Sequence, residues 1–153
     1  MLDYVGSRWC HDFFLPNIWL GVTAENQEQA DKRRPILLQI PAAVHFVSIE
    51  PMLGAIDCHL SSSLYGPKPD NCHVNVAHCG SCAVYPCVMR TPTRSIDWVI
   101  LGAETGPGKR QMDLNWALSV RDQCQAAGLP FFFKKDSDGK HELDGRLWDE
   151  RAK

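Results

Sequence analysis

Ile18-Trp19-Leu20-Gly21-Val22-Thr23-Ala24-Glu25 is a nearly unbroken apolar run of strand length that stops on a carboxylate, and the chain repeats this pattern twice. Ala43-Val44-His45-Phe46-Val47-Ser48-Ile49-Glu50 stops the same way before Pro51. Ile96-Asp97-Trp98-Val99-Ile100-Leu101-Gly102-Ala103-Glu104 does so before the turn Thr105-Gly106-Pro107-Gly108. A fourth run, Pro130-Phe131-Phe132-Phe133-Lys134-Lys135, ends on two lysines. Runs without polar alternation are the mark of strands buried on both faces, as in parallel sheets.

The segments between these runs read as helices. Asn26 can cap a helix over Gln27 to Arg33, and Pro35 suits the first turn of a second short helix, Ile36 to Ile40, which Pro41 stops. Asp113 can cap a helix whose apolar positions Leu114, Ala117, Leu118, Val120, Cys124 and Ala127 follow a helical period, with Gly128 as its stop. Near the end, His141 to Trp148 places Asp144-Gly145 between two short apolar segments, the signature of a tight hairpin.

Strands alternating with helices predict an α/β fold with four mainly parallel strands, covered on both faces and joined by right-handed crossovers. Half of an eight-stranded barrel and a small doubly wound sheet fit the same string. In both, ligands bind beyond the carboxyl ends of the strands. Glu25, Glu50, Glu104 and Lys134 all end strands on that edge and are the candidate catalytic residues. Three carboxylates on one rim repel one another unless cations, donors or a metal offset the charge. The glycines of Gly102-Ala103-Glu104-Thr105-Gly106-Pro107-Gly108, namely Gly102, Gly106 and Gly108, offer backbone amides beside Lys109 and Arg110, a candidate cofactor cradle or simply a sharp turn.

The stretch Asp57 to Ser95 interrupts the alternation as an insertion rich in Ser, Pro, Gly, Asn and Cys. It holds Cys72, Cys79, Cys82 and Cys87, four of the seven cysteines. An odd count rules out a complete intramolecular disulfide framework, and the Cys-x2-Cys core lets neighbouring thiolates reach one ion. Zinc or an iron–sulfur cluster is therefore expected on these four, with structural zinc supplying folding energy that a polar insert lacks. Cys124 reads as core, and His45, His59 and His141 as surface or hydrogen-bonded polar residues.

The whole chain has 153 residues, with 16 Lys and Arg against 18 Asp and Glu. This length suits one domain with a real core: an N-terminal extension, 1–16, and an α/β domain, 17–153, carrying the insertion 57–95. The balance leaves nucleic acid possible but not indicated by charge. No apolar run approaches the ~20 residues of a membrane span, and Met1 to Gly6 lacks the features of a signal peptide, so a cytoplasmic protein is expected.

Four blocks carry a resemblance. Asn17-Ile18-Trp19-Leu20-Gly21-Val22-Thr23-Ala24-Glu25-Asn26, Phe46-Val47-Ser48-Ile49-Glu50-Pro51-Met52-Leu53-Gly54, Asp97-Trp98-Val99-Ile100-Leu101-Gly102-Ala103-Glu104-Thr105-Gly106-Pro107 and Glu142-Leu143-Asp144-Gly145-Arg146-Leu147-Trp148-Asp149-Glu150 resemble the phage gp thirty-seven / gp sixty-eight family. That domain of unknown function is itself similar to radical S-adenosylmethionine barrels. The resemblance implies a C-terminal half-barrel whose strand-end residues face S-adenosylmethionine and substrate. It also implies a cysteine motif in an N-terminal half, for which Met1 to Pro16 is too short, so the chain is expected to be inactive alone and to pair as a homodimer or with a second chain completing the barrel. Two other readings follow from the residues alone. One is a divalent-metal-dependent hydrolase or nuclease with magnesium or manganese on Glu25, Glu50 and Glu104. The other is a zinc-stabilised interaction module built on the insertion.

Overall fold

The computed structural model describes residues 17–40, 42–60 and 95–152. Four strands form one sheet in the order β1 (Trp19–Thr23), β2 (Val44–Ile49), β3 (Trp98–Leu101), β4 (Phe131–Phe133), every neighbouring pair parallel. Helix α1 (Gln27–Leu37) joins β1 to β2, and α2 (Leu114–Ala127) joins β3 to β4. A two-stranded hairpin, β5 (Glu142–Leu143) and β6 (Arg146–Leu147), follows.

The helix ends lie where their capping residues put them. Asn26 accepts the backbone N–H of Gln29, and Asp113 that of Asn115. Gly128 takes the left-handed conformation that ends α2. Asp144 and Gly145, both at positive φ, form the hairpin turn. Pro35 does not open a second helix. It lies inside α1, two residues from the end, where few later N–H groups depend on it, and Gln39 N–H to Ile36 and Ile40 N–H to Leu37 add only a tightening turn.

Among the described residues both helices pack on one face of the sheet. Residues of both helices (Ala30, Leu37, Ala117, Val120, Cys124) share one core with Val47, Ile49, Val99, Leu101, Phe131 and Phe133 of the sheet. An unreversed strand order with right-handed crossovers keeps the helices on a single face. The other face carries Trp19, Phe46, Ser48, Trp98, Ile100 and Phe132, all outside that core. There Trp98 meets Trp19, Phe46 and Phe132 with ring centroids 6.1, 5.9 and 6.3 Å apart. Trp19 is 45% exposed. The Phe46 ring lies over Gly21 so closely that a Cβ there would come within 2.3 Å of it.

The two edges of the sheet differ. Beyond β4, Phe132 bridges antiparallel to Asp149, Phe133 N–H donates to Trp148 O, and Phe131 N–H donates to the Glu150 carboxylate. Trp148 is held in turn by Arg146, stacked 4.0 Å above its ring. Among the described residues no strand pairs with the outer edge of β1, where only Thr23 C=O is occupied, by the Arg33 guanidinium.

After β2 the described residues 51–60 carry no helix. Gln27 exchanges two hydrogen bonds with the backbone of Asp57. From the other side, Gln123 donates to Ile56 O and accepts from Cys58 N–H. Each amide thus acts as a rung of β ladder. Asp57 and Cys58 therefore belong to the packed fold, not to a loose insertion, and Cys58 is buried beside Met52 and Ile56 in the core. The four cysteines of the insertion lie outside the described residues.

Gln123→Leu leaves the Ile56 and Cys58 backbone groups unpaired and is expected to cost about 1–3 kcal/mol, read as a lower urea midpoint. Gly21→Ala is expected to cost about 1–3 kcal/mol by forcing the rigid Phe46 ring aside. Phe46→Leu in the same chain should recover part of that loss in a double-mutant cycle.

Candidate functional site at the carboxyl rim

Continuing the observed register by one or two residues places the strand-end side chains in one row. Ile49 pairs with Leu101 and Leu101 with Phe133, and Gly102 N–H to Ile49 O and Lys134 N–H to Leu101 O extend the ladders. Glu50 therefore stands beside Gly102, and Gly102 beside Lys134. On β1, Ala24 N–H donates to Ser48 O, which brings Glu25 level with Glu50. Ala24, Ile49, Leu101, Ala103 and Phe133 all point into the core. Alternation sends Glu25, Glu50, Glu104 and Lys134 to the opposite face, which neither described helix covers.

Each glutamate has its own cation. Lys134 Nζ lies 2.6 Å from Glu50, although β3 runs between their strands. The reach is possible because residue 102 is glycine: a Cβ there would be 3.0 Å from Glu50 Oε1 and 3.3 Å from Lys134 Cβ. Gly102 is thus the notch through which a strand-end ion pair crosses its neighbour. Arg33, on α1, meets Glu25 at 3.0 Å while its guanidinium also donates to Thr23 O.

Glu104 serves the loop that follows it. Its carboxylate takes two guanidinium N–H groups of Arg110 at 2.7 and 2.8 Å and the Arg110 backbone N–H at 2.9 Å. These bonds close the turn in which Gly106 and Gly108 adopt positive φ. Lys109 Nζ donates to Ser137 O, and Met112 N–H donates to Ser137 Oγ, tying the turn to the loop after β4. Both cations of the expected cradle are therefore engaged within the protein. The Arg110 side chain, and then its backbone N–H, hold the Glu104 carboxyl at about 2 against an ordinary 4.5.

The chain belongs to the family described as protein of unknown function (DUF5131). That family model matches residues 1–152. No curated protein and no solved structure matches the chain. The DUF5131 match thus covers the rim, the clamp and the hairpin without assigning chemistry to any of them.

Among the described residues no group of three or more His, Cys, Asp or Glu side chains is arranged to hold a metal ion. The three rim glutamates are paired one by one with cations instead of converging. Two shallow hollows, of about 420 and 380 Å³, lie against Asp97, Pro130 and Glu150 and against Gln27, Ile56 and Gln123, and neither touches a rim residue. No described helix is long and apolar enough to cross a membrane.

The other candidates separate from the rim. His45 is buried, with its Nε2 donating to Ile40 O, a hydrogen-bonded core histidine as expected. Burial, then the Asp57 charge, pushes the Cys58 thiol up to about 12, and burial likewise raises Cys124, so both remain neutral thiols of the core. Cys72, Cys79, Cys82 and Cys87 lie outside the described residues, but the flanks of their segment do not. Arg34 donates to His59 O, Asp57 is held by Gln27 at the start of α1, and Ile96 lies two residues before β3. The second flank thus sits at the amino end of the sheet, while the first is held between the two helices.

Sequence reasoning found the four strand-end residues and singled out Gly102 and Arg110, but as parts of a cradle and not as a notch for Lys134 and a clamp on Glu104. It missed Arg33, for which a basic residue on the helix after a strand-end carboxylate was the available signal.

Because the folded value of Glu104 lies below its unfolded one, its stabilisation is complete above about pH 4.5 and is lost as the pH falls toward 2. Glu104→Gln is expected to flatten the fall of the urea midpoint across that window. The two proteins should differ most at neutral pH and converge near pH 2.

Proposed function

We propose that this chain forms the C-terminal arc of a radical S-adenosylmethionine-like barrel of the phage or prophage type, and that its carboxyl-end row binds the ligand. The observation that carries the reading is the row Glu25, Glu50, Gly102, Lys134, set across four parallel strands in unreversed order on the face that neither described helix covers. An unreversed parallel order is that of a barrel arc, whereas a doubly wound sheet reverses its order at a switch point. The open outer edge of β1, opposite a β4 edge occupied by residues 148–150, supports completion on the β1 side by a second copy or another chain.

The residues fit the amino-acid end of S-adenosylmethionine. Glu50 would hold its ammonium and Lys134 its carboxylate, each exchanging one protein partner for a ligand group of the same charge. When bound beside a reduced iron–sulfur cluster, S-adenosylmethionine supplies one-electron bond-cleavage chemistry. Rim residues orient and neutralise; the cluster, in the barrel this chain resembles, belongs to cysteines of an N-terminal half.

Two measurements test the reading. In calorimetric titration, S-adenosylmethionine is expected to bind the full chain, and Lys134→Met or Glu50→Gln should weaken binding by about tenfold or more, the loss of one charged hydrogen bond. Absence of binding to the wild-type chain would overturn the proposal. Elemental analysis with an absorption spectrum on anaerobically purified protein, beside the double variant Cys79→Ser with Cys82→Ser, identifies what the insertion holds. Zinc lost in the double variant is the expected result; iron with a broad band near roughly 400 nm would place a cluster on this chain itself.

A further inference from the structure

We draw no further inference here: the strongest candidate, the unpaired outer edge of β1 together with the aromatic sheet face from Trp19 to Phe132, carries nothing beyond the partner strand already proposed, because nothing in the structure shows what covers it.

Discussion

The rim depends on one ion pair that crosses a strand. Glu25 and Glu50 occupy neighbouring positions of one row, and unit charges about 4.8 Å apart repel by about 3 kcal/mol at an effective dielectric constant of ~20. No cation on β3 can intervene, since the row position there is Gly102. Lys134 therefore has to come from β4, and the absent side chain is what lets it pass. Arg33 performs the matching task for Glu25 from outside the sheet. Residue 102 thus ranks with the charged residues in importance although it carries no functional group, and a larger side chain there would unbalance both glutamates at once.

The same backbone separates two kinds of surface. On one face Val99, Leu101, Phe131 and Phe133 are fully or almost fully buried beneath two helices. On the other, charge at the carboxyl end gives way to Thr23, Ser48, Ile100 and Phe132, and then to Gly21, Phe46 and Trp98. This gradation leaves the polar groups at one end and an aromatic floor beneath them. Phe46 over Gly21 and Trp19 against Trp98 make that floor continuous across strands, so a ligand drawn to the charges meets packed rings below. Parallel sheets seldom leave a face or an edge bare. Here the edge at β4 is occupied by the chain's own tail, and the edge at β1 by no described strand.

Much of this was legible in the sequence because its causes are local. The apolar runs, the caps Asn26 and Asp113, the stop at Gly128 and the Asp144-Gly145 turn each act over a few residues, and each lies where its chemistry requires. The strand-end carboxylates followed from the same runs. Strand order did not, because periodicity records how deeply a strand is buried and not which neighbour buries it. Pro35 misled as a helix start because its cost falls late in a helix, where the chain tolerates it. The glutamine clamp was invisible for another reason. Gln27 and Gln123 are ordinary helix-surface residues until a segment remote in sequence brings its backbone to them.

The positions of the two sequence constellations bear on how they could communicate. The cysteine segment is flanked on one side by residues 56–59, clamped between the two helices, and on the other by Ile96 at the amino end of the sheet, while the charged row lies at the carboxyl end. Strand β3 is the direct covalent route between them, leading from Ile96 to Gly102 within seven residues. Val99 and Leu101 are fully buried along that route, and β3 is hydrogen-bonded to β2 on one side and β4 on the other. Sliding β3 would break both ladders and lift Gly102 out of the gap that Lys134 uses. The register of β3 therefore fixes the notch, and with it the charge balance of the row.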